Sequence, residues 1–249
     1  MTQSHISMEP SWSGRQAFIG CRAFPTLDCV REAIAITRDS FRVFVGRSSG
    51  RFDNWNKAVL HVIWHQQFAI GARGSRQIYI PPSAFNTKSG LAHLSDKDNK
   101  NGYKTRLVWM PPALVRQMIE LEKTRIATMM CGTVGRPPHL KLGEFKFLSD
   151  KSQLRLESVT REGIERVSRE FFPFPINTPR RVMRYLLKSR GLSPEYVDVF
   201  MGHWRERREP WGKWSSLDYS DYLACLRQLV PEILSDLGFG TGPDRKGAG

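Results

Sequence analysis

This chain of 249 residues is poor in metal-ligand patterns. Its four cysteines, Cys21, Cys29, Cys131 and Cys225, form no CxxC pair. That spacing excludes a zinc ribbon or a thioredoxin-like motif and leaves reduced core thiols as the default. His61 and His65 stand at i, i+4 in HVIWH, but the glutamate of HExxH is missing, so the pair reads as part of a packed helix. No apolar run approaches the roughly 18 residues that cross a bilayer. The N-terminal stretch MTQSHISMEPSWSGRQ lacks the basic-then-apolar build of a secretory signal. A cytoplasmic protein without a membrane partner is expected. Internal repeats are absent. Acidic residues are few, 24 against 38 lysines and arginines.

That imbalance is the strongest compositional signal. A net charge of +14 sets up a field that concentrates polyanions and binds duplex DNA by counterion release. The basic residues are also clustered: Arg180, Arg181, Arg184, Lys188 and Arg190 lie close together, and Arg205, Arg207, Arg208 and Lys213 follow. Arg181, Arg184 and Lys188 are expected to face solvent and bind DNA, together with Lys100 and Lys104. With 40% hydrophobic and 25% charged residues the composition is that of an ordinary globular domain with a real core.

The chain reads as α+β, mainly helical, with a small antiparallel hairpin. Residues 1–25 read as a flexible segment, 26–237 as one domain and 238–249, including GFGTG, as a flexible tail. Val30, Ala33, Ile34, Thr37 and Phe41 recur at helical spacing after Thr26. A second helix is predicted from Asn54 to Ile70. RQIYI at 76–80 reads as a short strand ended by Pro81 and Pro82. Residues 91–110 read as a hairpin around the polar turn DKDNKNG, and Pro111–Pro112 opens a helix to about Met130. No element is assigned over 131–158, and a helix is expected near 160–171. Thr178 reads as an N-cap with Pro179 as the first helical residue, which puts Arg180 in a first turn that favours an anion. At the edge of an apolar stripe, Arg180 needs a carboxylate or a phosphate as partner. The next helix is expected from Ser193–Pro194 to a C-cap at Gly202, directly before His203. The last runs from about Leu217 to Leu237, with Tyr219 and Tyr222 on its apolar face.

Five of these residues carry a chemistry. GARGSRQIY holds Arg73, the hairpin turn holds Lys97, NTPRR holds Arg180, MGH ends in His203, and Tyr222 follows on the last helix. In that order and at that spacing the chain resembles the tyrosine recombinase (phage integrase) family, over about Thr26 to Leu237. The resemblance implies a catalytic domain of the DNA breaking–rejoining type. Arg73 and Arg180 would hold the non-bridging oxygens of a scissile phosphate, and Lys97 would protonate the leaving 5′-oxygen. His203 would hydrogen-bond the phosphate and help to deprotonate the tyrosine. Tyr222 would be the nucleophile, with Tyr219 as the alternative one helical turn earlier.

Asn177 stands where the family usually carries histidine; it can hydrogen-bond a phosphate oxygen but carries no proton. The stretch WRERREPWGKWSS separates His203 from both tyrosines, and the 72 residues before Arg73 are too few for the separate helical domain that usually precedes the catalytic one, so a catalytic-domain fragment or a chain that works without that domain is expected. The implied activity is site-specific cleavage and rejoining of double-stranded DNA through a 3′-phosphotyrosyl link, with no metal, ATP or other cofactor. A tetramer on nucleoid DNA is the implied assembly. Two other expectations share the fold: a DNA-binding protein with weak or no cleavage, and a type IB-like enzyme that relaxes supercoils.

Overall fold

The computed structural model describes residues 16–19, 22–46, 54–74, 77–80, 85–86, 88–95, 105–130, 146–148, 156–203 and 217–240. The expected α+β, mainly helical class holds, with seven helices and three two-stranded antiparallel ribbons among the described residues.

The architecture is built around α2 (Trp55–Ile70). Every residue from Ala58 to Ile70 is buried, so this helix is enclosed on all sides. Its neighbours are α1 (Leu27–Gly46), α3 (Pro112–Met130), α4 (Arg161–Ser168), α5 (Thr178–Ser189) and α7 (Tyr219–Asp236). Burial on every side explains why its polar residues are tied to other elements. His61 Nδ1 lies 3.2 Å from the Thr37 hydroxyl of α1, and His65 Nδ1 lies 2.7 Å from Gln117 Oε1 of α3. Burial lowers the pKa of both rings, that of His65 to about 4. The two histidines are core members, and among the described residues no cluster of His, Cys, Asp and Glu could hold a metal.

The hairpin pairs β3 (Leu91–Ser95) with β4 (Thr105–Trp109), with Leu91 opposite Trp109 and Ser95 opposite Thr105. A second ribbon joins β5 (Lys146–Leu148) to β6 (Leu156–Ser158) within the stretch where the sequence suggested no element. The helices α6 (Pro194–Met201) and α7 begin on side-chain caps. The Ser193 hydroxyl accepts from the Tyr196 N–H at 3.3 Å, and an Asp218 carboxylate oxygen accepts from the Ser220 and Asp221 N–H groups.

Four expectations are corrected. Residues 1–25 are not uniformly loose, because β1 (Gln16–Ile19) and β2 (Arg22–Pro25) pair as a hairpin. Residues 77–80 form no strand. The Gln66 side chain donates to the Ile80 carbonyl at 2.7 Å and accepts from its N–H at 2.8 Å, standing in for a neighbouring strand. The domain runs past Leu237: Phe239 is buried, and its ring stacks on His65 with centroids 4.6 Å apart. The start of α5 shifts by one residue, with Asn177 rather than Thr178 at the N-cap position. No helix among the described residues is long and apolar enough to cross a membrane.

Candidate functional site

The site forms where the C-terminal ends of α2 and α6 meet the N-terminal turn of α5. Helix ends of this kind present carbonyls with no partner inside the helix, and they carry the negative pole of the dipole. Two buried arginines meet them. Arg106 of β4 donates to the carbonyls of Ile70 at 2.7 Å, Phe200 at 2.5 Å and Gly71 at 3.0 Å. Arg180 of α5 donates to the carbonyls of Gly71 and Met201. The sequence asked for a carboxylate or a phosphate beside Arg180; the fold supplies two helix-end carbonyls. They orient the guanidinium plane in a place the apolar stripe alone would leave undetermined.

Arg73 lies just past the end of α2. There Gly71 adopts a left-handed φ of 56°, and a Cβ on it would sit 2.7 Å from the Phe200 ring. The Arg73 backbone is gripped by Gln77, whose Oε1 accepts from the Arg73 N–H at 3.1 Å and whose own N–H donates to the Arg73 carbonyl at 2.7 Å. The next residue, Gly74, touches the approach to α5 so closely that a Cβ would lie 2.7 Å from the Ile176 carbonyl oxygen. Its N–H donates to Asn177 Oδ1 at 3.0 Å. Asn177 therefore tethers the Arg73 loop to α5 and makes no cap bond to its own helix. That is a positioning role, and Asn177 also lines the site where a phosphate contact was expected.

The resulting cleft, about 190 Å³ in volume, is lined by Arg73, Asn177, Arg180, Arg181, Arg184, Met201 and His203. Four arginines converge on it, and among the described residues no carboxylate lines it. Arg181 and Arg184, expected to face solvent, belong to this wall. His203 is placed by the left-handed cap at Gly202, and its N–H donates to the Asp198 carbonyl at 2.9 Å. Its Nδ1 lies 3.7 Å from an Asp198 carboxylate oxygen, which is also 3.7 Å from the Arg184 guanidinium. Burial, followed by Arg180 and Arg184, pulls the His203 pKa below its ordinary value, against an opposing pull from Asp198. The ring is thus neutral at pH 7, able to accept a proton or to donate one hydrogen bond. Such a cleft suits a compact oxyanion of phosphate type.

The tyrosines lie elsewhere. Tyr222 is fully buried in α7, which packs on α2, α5 and β4, and its ring meets Tyr196 edge-on at 5.4 Å. Burial raises its hydroxyl pKa well above the ordinary value, partly opposed by the charge of Arg106. Tyr219 is the first residue of α7 and is half-buried, and its hydroxyl pKa is also raised by burial. Neither lines the cleft. Lys188 is exposed at the far end of α5. Lys97, Lys100 and Lys104 lie outside the described residues.

Of the residues singled out from sequence, Arg73, Asn177, Arg180, Arg181, Arg184 and His203 come together. Arg106, Gln66, Gln77 and Gly74 were missed. Arg106 falls at an apolar-looking strand position, and a charged residue inside a buried hairpin was the available signal. Comparison of the sequence with protein-family models and with curated proteins returns no match.

Proposed function

We propose that the chain is a DNA strand-cleaving and rejoining enzyme of the tyrosine recombinase type. The observation that carries this reading is the cleft: Arg73, Arg180 and His203, far apart in sequence, border one phosphate-sized space with Arg181 and Arg184 beside them. A scissile phosphate bound there would be held by arginines on its non-bridging oxygens, and their preorganised charge would stabilise the extra negative charge of the transition state.

The tyrosine oxygen attacks phosphorus, forming the O–P bond as the bond to the 5′-oxygen breaks. Lys97 gives its proton to the leaving 5′-oxygen, and neutral His203 takes the phenolic proton. The products are a 3′-phosphotyrosyl link and a free 5′-hydroxyl. Attack by that or another 5′-hydroxyl reverses the step, so no external energy source is required. Because Tyr222 is buried, α7 must shift to bring it to the cleft. Exposure also removes the burial that holds the phenol protonated. Joining strands of two duplexes needs more than one protomer, and a tetramer on DNA meets that need.

A second reading is favoured by one observation, the complete burial of Tyr222. In that reading the cleft binds a DNA phosphate without cutting it. Covalent trapping separates the two. Incubation with nicked duplexes, followed by a denaturing gel, is expected to give a slow band that Tyr222→Phe abolishes. Loss only in Tyr219→Phe moves the nucleophile by one turn. Salt-sensitive DNA binding with no band in any lane supports the binding protein.

A further inference from the structure

A larger groove opens beside the cleft. Its volume is about 740 Å³, and its walls are Phe24, Pro25, Thr26 and Leu27 on one side and Arg181, Arg184, Tyr185 and Lys188 on the other. The second set is one stripe of α5, since these positions fall at i, i+3, i+4 and i+7. Arg181 and Arg184 line both spaces, so the groove continues directly from the cleft.

Its chemistry differs from that of the cleft. The floor is apolar and aromatic, and the rim is cationic, with no carboxylate among the described residues of the lining. Tyr185 is 53% exposed and is one of two large hydrophobic residues left exposed among those described. The ring is nevertheless held in place, because Phe24 meets it at 67° with centroids 6.3 Å apart. The Arg181 guanidinium in turn lies 5.7 Å from the centre of the Phe24 ring. A bare anion has no use for an apolar floor, and an aliphatic segment has none for three cations on the rim. A nucleotide has both a flat apolar face and a charge that matches the rim.

We infer that this groove receives an unpaired nucleotide next to the phosphate held in the cleft, with its base against Tyr185. The inference rests on the proposed DNA chemistry and deepens it. A strand released at its 5′-hydroxyl must leave its complement before it can join another, and the bases it frees lose their stacking partners. An aromatic platform beside the phosphate site holds such a base out of the helix, and Lys188 lies where the following phosphate would pass.

The test uses the full chain and two labelled DNAs, a blunt duplex and the same duplex with a short unpaired 5′ extension, at one fixed salt concentration. Fluorescence anisotropy gives both affinities, and 2-aminopurine in the extension reports stacking. The expected result is a preference for the extended DNA of on the order of tenfold, with quenching of the 2-aminopurine. Tyr185→Ala removes the preference and the quenching and leaves blunt-duplex affinity unchanged, whereas Tyr185→Phe keeps all three. Because Tyr185 is exposed, its removal leaves the core intact. Equal binding of the two DNAs by the unmodified chain overturns the groove assignment alone and turns the groove over to a protein partner. A preference that survives in Tyr185→Ala overturns it as well, because the contacts then lie elsewhere. Failure to bind either DNA at low salt overturns the DNA reading and this inference with it.

Discussion

The cleft and the tyrosine helix are built on opposite plans. Around the cleft, the buried arginines Arg106 and Arg180 are fixed by backbone carbonyls, and a glutamine and an asparagine hold the loop that carries Arg73. In α7, Tyr222, the proposed nucleophile, is folded into the apolar core beside Tyr196. One half is ready for an anion as it stands, and the other is assembled for stability. Under the proposed function, the difference separates phosphate binding from nucleophilic attack. On that reading binding would need no rearrangement, and cleavage would need a packed helix to give up some of its contacts.

Substitution of the two kinds of arginine breaks the comparison most directly. Arg106→Met keeps volume but strips the donors from the Ile70, Gly71 and Phe200 carbonyls. The expected cost is about 3–5 kcal/mol of folding stability, read from urea denaturation. Arg73→Ala lies at the rim and is expected to change stability by under about 1 kcal/mol while slowing adduct formation roughly 100- to 1,000-fold. Equal stability losses in the two variants would erase the distinction between the arginine that builds the site and the one that uses it.

A smaller effect comes from pH and belongs to the core. His65 titrates at about 4 in the folded chain against an ordinary value of 6.5. The folded state therefore binds fewer protons than the unfolded state between those limits. Stability is complete above about pH 6.5 and falls as the solution is acidified toward pH 4, by about 3 kcal/mol from this group. His61 shifts in the same direction and adds to the slope. Denaturation curves at several pH values measure it, and His65→Gln is expected to flatten it.

The smallest effect sharpens the picture of the cleft. Asp198 is the carboxylate that faces both His203 and Arg184. Asp198→Asn is expected to lower the His203 pKa further, and inorganic phosphate bound in the cleft to raise it. Both shifts are read from the imidazole signals in an NMR titration. A His203 signal that ignores phosphate would place the anion elsewhere.

Helix positions were legible where the signal is local. Pro112, the Ser193–Pro194 start and the Gly202 stop each act on the backbone within a few residues, and the structure reproduces them. The run at 77–80 was misread as a strand because β-rich composition cannot reveal that Gln66, from a different element, takes both backbone groups of Ile80. Phe239 was assigned to a tail because the glycines around it look flexible, and its packing on His61, His65 and Phe68 holds it in the core. Arg181 and Arg184 were assigned to solvent from helical phase alone. Phase gives the direction of a side chain relative to its own helix and says nothing of what lies opposite.

The sequence by itself determined most of the helices and the β3–β4 hairpin, the excess of positive charge and the order of the residues suited to phosphate chemistry, because these depend on local backbone preference and on composition. Tertiary structure decided which of those residues share a cleft. It set Arg73 against α5 through Gly74 and Asn177, turned the ends of α2 and α6 toward Arg106 and Arg180, and put Tyr222 out of reach in the core. Each of these depends on a contact between residues distant along the chain, whose strength comes from burial and the partner's geometry, and neither is written at any single position.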